Sequence, residues 1–293
     1  MPYEGKFKKL ETFSVLIGTW DRIELLKKLI SHYRKSPLVE KIFVTWHNPN
    51  APVPEALLDL GRGDKTTKLP QARVEFLRKR TNSLNNRFNP VPRLKTKAVL
   101  IADDDVRVPL EDLHLAFNAW RLRPESLTGF FPRGHRRGVN GTWEYLLRQD
   151  ERTPGYDMML TKAMFIDADL LFSYTCLLPL SIHAYVDRMR NCEDIAFNMM
   201  ASGLTGKILA YPLTLPLPLI PPCPGASPTA VMSKIDDFGT TKGISSASAH
   251  RNDRANCIAD LITLFGRDTL VSNELVISRF DRVPYRKKNL DEW

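Results

Sequence analysis

Three consecutive carboxylates, Asp103, Asp104 and Asp105, follow the apolar run Ala98–Ala102. Such a knot repels itself unless positive charge sits among it. Carboxylate oxygens are hard ligands that suit Mg²⁺ or Mn²⁺, cations that keep waters and phosphate oxygens beside one or two protein ligands. Side chains alternate along an extended chain, so the spacing predicts Asp103 and Asp105 on one side and Asp104 on the other. A D-x-D pair of this kind fits a nucleotide-sugar site. One carboxylate would hold a metal on the diphosphate while the other reaches the ribose, and the cation would neutralise the leaving nucleotide. The plainer alternative is a solvated acidic turn ahead of a helix.

Three further clusters could join them. In RNCEDIAFN, Glu193 and Asp194 stand at a helix start, as acid/base or acceptor-orienting groups or as ordinary dipole partners. In HRNDRANC, His250, Arg251 and Arg254 lie within about one helical turn, able to grip a diphosphate or simply to form a basic face. In TNSLNNRF, Asn82, Asn86 and Arg87 could bond a base, ribose or phosphate, or form a plain loop.

The surrounding periodicities say what must carry these groups. FSVLI reads as a buried strand, and Ile23, Leu26, Leu29 and Ile30 recur at helical spacing. KIFVTW and ARVEFLRK read as strands, with a helix near 54–60 between them, and TKAVLIA as a fourth strand. Pro109 opens a helix whose first turn is acidic. Alternating strands and helices predict a mixed, mainly parallel sheet flanked by helices, with ligands beyond the carboxyl ends of the strands. Thr19–Arg22, Trp46–Asn48 and the aspartates all fall at such ends. Further on, LTGFFPR, WEYLLR and DMMLTKAMFIDADLL read as strands closing the sheet. Two helical pieces break near Asn191, residues 212–228 are too proline-rich for helix, and an amphipathic helix ends at Gly266.

The 293 residues carry 43% hydrophobic and 26% charged side chains with a formal net charge of +9. That balance is ordinary for a globular protein and favours a polyanionic partner. No RRM, KH or zinc-finger pattern accompanies it, which argues against a sequence-reading nucleic-acid binder. No apolar run approaches the ~20 residues of a membrane span. Membrane anchoring would therefore use a segment outside this sequence. Cys176, Cys192, Cys223 and Cys257 form no CxxC pair. Free thiols and disulfides are equally open on spacing.

Taken in order, TWDR, KIFVTWHN, TNSLNNRF, AVLIADDDVRV, LAFNAW, GFFPR, NCEDIAFN and HRNDRANCIADL resemble the catalytic domain of glycosyltransferase family 64, the exostosins and exostosin-like proteins. The likeness spans about residues 13–280. It implies one GT-A domain, with a nucleotide-binding half to about residue 125 and an acceptor-binding half beyond. It implies Mn²⁺ as cofactor and a UDP-sugar donor, N-acetylglucosamine or a related hexosamine, transferred with retention to a glycan or glycolipid. Plant relatives act on inositol-phosphoceramides, some with other donors such as GDP-mannose. By position, Asp105 is the expected metal ligand and Asp103 the ribose or uridine contact. Arg22, Asn48, Asn82, Arg87 and Asp104 line the nucleotide-sugar pocket. Asn191, Glu193 and Asp194 form the catalytic and acceptor region, and Arg254 meets the diphosphate. The family pattern also pairs Cys192 with Cys257 and implies a Golgi or ER lumen location; a homodimer is among the possible states. Glu193-Asp194 departs from the Asp-Asp of many relatives, and the proline-rich stretch does not align. The competing expectations are a polyanion-binding module without catalysis and a nucleotidyltransferase; LIGTWDR lacks the glycine-rich phosphate loop of the latter.

Overall fold

The computed structural model describes residues 9–62, 72–147, 155–205, 227–238 and 250–279. The first part runs β1 (Lys9–Thr19), α1 (Ile23–Tyr33), β2 (Val39–Trp46), α2 (Glu55–Arg62), β3 (Arg73–Arg78), a 3-10 turn (Leu84–Phe88), β4 (Thr96–Asp103), β5 (Val106–Arg107) and α3 (Leu110–Leu122). Then come β6 (Thr128–Gly129), β7 (Pro132–Arg137), β8 (Trp143–Leu147), β9 (Met158–Met159), β10 (Ala163–Asp167), α4 (Asp169–Phe172) and α5 (Leu180–Met189). The last described elements are α6 (Glu193–Thr205), β11 (Thr229–Val231), β12 (Asp236–Asp237), α7 (His250–Phe265) and β13 (Val276–Ile277).

Eight strands form the main sheet in the order β13-β11-β6-β10-β4-β1-β2-β3. All neighbours run parallel except β10, which is antiparallel to both β4 and β6. The expected mixed, mainly parallel sheet flanked by helices is therefore present. Apolar runs such as FSVLI arise because both faces are covered. Phe13, Val15 and Ile17 pack with α1 and α3, whereas Leu16, Val99 and Ile101 face Phe88 and the apolar sides of α6 and α7. Each such side chain contributes about 1.5–3 kcal/mol on full burial.

One expectation needs correction. GFFPR does not extend the main sheet as one strand, because only Thr128–Gly129 belongs to it. The chain then turns off, and β7 builds a separate three-stranded sheet with β8 and β9. The polar alternation of PRGHRR suits a strand covered on one face only. The proline-rich stretch lies largely outside the described residues, as do the side chains of His250 and Arg251. Among the described residues, no single helix is long and apolar enough to cross a membrane.

The small sheet is tied down by His135 on β7. Its Nδ1 lies 2.9 Å from Asp157 Oδ2 and its Nε2 2.8 Å from Asp268 Oδ2, beyond the end of α7. Across β7 and β8, His135 stands opposite Tyr145. Gly266, at φ 75°, ends α7 in the left-handed conformation that glycine adopts without strain.

Candidate active site

The carboxyl ends of β1, β2 and β4 meet at one rim. Because β10 is reversed, the residues just before it, Thr161 and Lys162, arrive at that same rim. Lys162 O accepts a hydrogen bond from Asp103 N at 2.9 Å. Gly18 lets β1 pass close to His47, whose Nε2 would stand 3.2 Å from an added Cβ.

The aspartates do not divide as strand alternation predicts. Asp103 pairs with Arg87 Nη2 at 2.5 Å. Asp104 and Asp105 instead share Arg22, whose Nη2 lies 2.6 Å from Asp104 Oδ1 and whose Nη1 bonds Asp105 Oδ2. The reason is local: β4 stops at Asp103, and the next two residues form a turn, so the period of two ends there. Thr19 Oγ1 fixes Asp104 by donating to its Oδ2 at 2.5 Å.

Arg87 also ties this floor to the second carboxylate pair. Its Nη1 lies 3.5 Å from Glu193 Oε1, and its Nη2 donates to Thr161 O at 3.0 Å. Ahead of α6, Arg190 and Cys192 hold φ values of 48° and 74°. Left-handed backbone at non-glycine residues costs of order 1–3 kcal/mol each and persists where the surroundings impose it. Here a Cys192–Cys257 disulfide, with Cα atoms 6.0 Å apart, joins the turn to α7, as the family resemblance implies. Asn191 Oδ1 accepts from Cys192 N at 2.8 Å and from Arg254 Nη1 at 3.2 Å. Arg254 Nη2 reaches Asp194 Oδ2 at 2.6 Å, while its guanidinium carbon lies 4.7 Å from the centre of the Tyr145 ring. Asn198 completes the frame by donating to the Asp194 and Met159 carbonyls at 2.7 and 2.9 Å.

Asp104, Asp105, Glu193, Asp194, Arg87 and Arg254 are all buried. Burial pushes the Asp104 carboxyl up to about 6, against the lowering effects of Thr19 and Arg22, with Asp103 and Asp105 adding to the rise. Asp105 is raised by burial and by Asp103, with Arg22 opposing. Glu193 is raised by burial and by Asp194, with Arg87 and Arg254 opposing. Burial also pushes His47 down to about 4, helped by Arg87 and Lys79, so its ring is neutral at physiological pH.

Among the described residues no group of three or more His, Cys, Asp or Glu is arranged to hold a metal. A hard cation that takes one or two carboxylates and completes its sphere with diphosphate oxygens needs no third. Asp105 Oδ1 is buried without a hydrogen-bond partner, and so is Arg254 Nε. An open acceptor and an open donor suit a cation and an anion bound together, so the donor set fits a divalent ion.

Arg22 with Asp104 and Asp105, Arg87 with Asp103 and Glu193, and Arg254 with Asn191 and Asp194 thus form a charged network of three contact groups that adjoin along the chain at Asp103–Asp104 and Glu193–Asp194. Asn48 and Asn82 stand apart from it: Asn48 Oδ1 accepts from Asn50 N at 3.0 Å, and Asn82 is exposed. Asn86 likewise serves its own loop, donating to Thr81 O at 2.8 Å. Sequence reading singled out neither Tyr145 nor Lys162, and it gave His47 and Asn198 no role of their own within Trp46–Asn48 and RNCEDIAFN. Only His47, directly after an apolar strand, carried a local signal.

Residues 13–283 match the Glycosyl transferase family 64 domain. The chain belongs to glycosyltransferase family 64. Relatives include Glycosyltransferase family protein 64 C3 of Arabidopsis thaliana, 33% identical, with 92% of this chain and 80% of the relative aligned. Glycosylinositol phosphorylceramide mannosyl transferase 1 of the same plant is 31% identical over 88% of this chain and 74% of its own length. Exostosin-like 2 of Mus musculus is 29% identical over 92% and 78%. Among solved structures, GalNAc-T7 with UDP, GalNAc and Mn²⁺ aligns at a TM-score of 0.45 and 11% identity. That likeness covers 66% of this chain and 40% of GalNAc-T7. As a family 64 member, the protein is a glycosyltransferase.

Proposed function

We propose that this chain transfers a sugar from a nucleotide donor to a glycan or glycolipid hydroxyl, with a divalent cation, Mn²⁺ in this reading, and with retention at the anomeric carbon. One observation carries the reading. Five carboxylates, Asp103, Asp104, Asp105, Glu193 and Asp194, face three guanidiniums at the rim where the parallel strands β1, β2 and β4 end. That negative excess is costly where water is excluded, and a divalent ion would offset it.

Asp105 would hold the cation through its open Oδ1, with Asp104 beside it. The bound ion would neutralise the diphosphate as the nucleotide departs. Asp103, kept in place by Arg87, would meet the ribose side. Arg254, braced on Asp194 and Tyr145, would bring fixed positive charge to the diphosphate. Glu193 and Asp194 would orient the acceptor hydroxyl and the sugar. Retention through a covalent intermediate would require one of them close to the anomeric carbon. Same-face attack would instead pass the acceptor proton to the leaving phosphate. The disulfide suits folding in an oxidising lumen, such as the ER or Golgi.

For the donor, a UDP-N-acetylhexosamine is the first reading. A second, GDP-mannose transferred to an inositol-phosphoceramide, is favoured by the relative whose name states that activity. A Mn²⁺-supplemented screen of UDP-GlcNAc, UDP-GalNAc and GDP-mannose, read by thermal shift and nucleotide release, separates them. Failure of every nucleotide sugar to bind, with turnover of a nucleoside triphosphate and a sugar phosphate instead, would overturn the transfer reading.

A further inference from the structure

The three site arginines differ in their freedom. Arg87 and Arg254 keep only 10% and 5% of their side chains exposed, whereas Arg22 keeps 44%. Its backbone is anchored, since Leu26 N donates to Arg22 O at 2.9 Å at the start of α1. Its guanidinium, by contrast, lies at the end of a long side chain with water on one side. At present it bridges Asp104 and Asp105, covering the carboxylate whose other oxygen is buried and unmatched. The other cation acting on Asp105, Lys162, is held by Asp237 at 2.6 Å.

We propose that Arg22 is an internal placeholder for the divalent cation, seated on Asp104 and Asp105 in the empty enzyme and exchanged for metal when a nucleoside diphosphate arrives. This rests on the reading of Asp105 as the metal ligand. Two adjacent buried carboxylates without a counter-ion would destabilise the empty site, and an arginine supplies that charge permanently because it does not deprotonate in proteins. It must therefore move to give way. Its departure is offset only as the metal takes its place, because Asp104 and Asp105 are 1% and 8% exposed and would otherwise be left without a counter-ion. The released guanidinium then finds the diphosphate beside it. Metal and nucleotide binding are coupled as a consequence, each strengthening the other by the same factor.

The test is Mn²⁺ titration by calorimetry, with and without UDP (or GDP if the donor screen selects it), on wild type, Arg22→Gln, Arg22→Lys and Asp105→Asn. Arg22→Gln should bind Mn²⁺ alone about tenfold more tightly, about 1.4 kcal/mol. The gain in Mn²⁺ affinity on adding nucleotide should shrink correspondingly, and Mn²⁺ alone should raise its unfolding temperature more than that of wild type. Arg22→Lys keeps a cation but cannot span both carboxylates, so it should show a smaller change in the same direction. It also carries the test if the glutamine variant does not fold. Mn²⁺ binding to Arg22→Gln that is unchanged or weaker in the absence of nucleotide would overturn the placeholder. Asp105→Asn binding Mn²⁺ as wild type does would overturn the metal-ligand reading itself, whatever Arg22 does.

Discussion

Replacing His135 with glutamine should remove a part of the stability that depends on pH. Burial lowers the affinity of this imidazole for its proton, but hydrogen bonds to Asp157 and Asp268, with their charges, outweigh it and raise the pKa to about 9. The same contact lowers the Asp268 carboxyl, against its own burial. Set against the unperturbed value of 6.5, and at about 1.36 kcal/mol for each pKa unit, the ceiling is about 3.4 kcal/mol. The Asp268 side chain is 33% exposed, and solvent screening there reduces the expectation to about 2 kcal/mol. Because the folded pKa lies above the unfolded one, the contribution is complete below about pH 6.5 and disappears as pH rises through about 9. Urea unfolding of wild type and His135→Gln at intervals from about pH 6 to pH 10 reads the difference directly. Wild type should lead by about 2 kcal/mol at the acid end, and the gap should close at the alkaline end. A gap that stays constant across the range would refute the charged clasp and leave only packing.

Asp105→Asn should abolish metal-dependent donor hydrolysis while shifting the unfolding temperature little; turnover at wild-type rate would remove Asp105 from the metal site. Cys192→Ser opens a cross-link spanning 65 residues, worth roughly 4 kcal/mol in the chain-entropy description. Its unfolding midpoint should fall below that of wild type under oxidising conditions and match it once reductant is added. Glu193→Gln should lose transfer yet be at least as stable as wild type at pH 8. Its raised pKa means that the folded state resists ionising it, and this cost grows as pH rises above the ordinary carboxylate value. A clear loss of stability at that pH would make Glu193 a structural partner of Arg87.

Long-period features were legible from residue order. The runs FSVLI, KIFVTW and TKAVLIA became β1, β2 and β4 because helices cover both faces of the sheet, and Pro109 and Gly266 bound α3 and α7 as their backbone preferences require. The small sheet was misread, since its strands are held by pairings that no local period announces. So was the direction of Asp105, because alternation holds only while the strand continues. The pairings that organise the site join residues far apart in sequence: Arg22 to Asp105, Arg87 to Glu193, His135 to Asp268. Residue types and spacing nominate such groups singly, and only the fold decides which of them meet. Of the candidates that failed to join the network, Asn48 is satisfied within its own turn and Asn82 lies exposed.

The reversed direction of β10 has an architectural consequence. In a wholly parallel sheet, the chain leading into that strand would lie at the opposite edge, away from the chemistry. Reversal brings a second entrance to the working rim, so that Thr161 and Lys162 arrive from a different part of the polypeptide than Thr19, His47 and Asp103. Changes ahead of β10 therefore act on the site at first hand, through the Lys162 carbonyl that holds Asp103 N and the Thr161 carbonyl that holds Arg87.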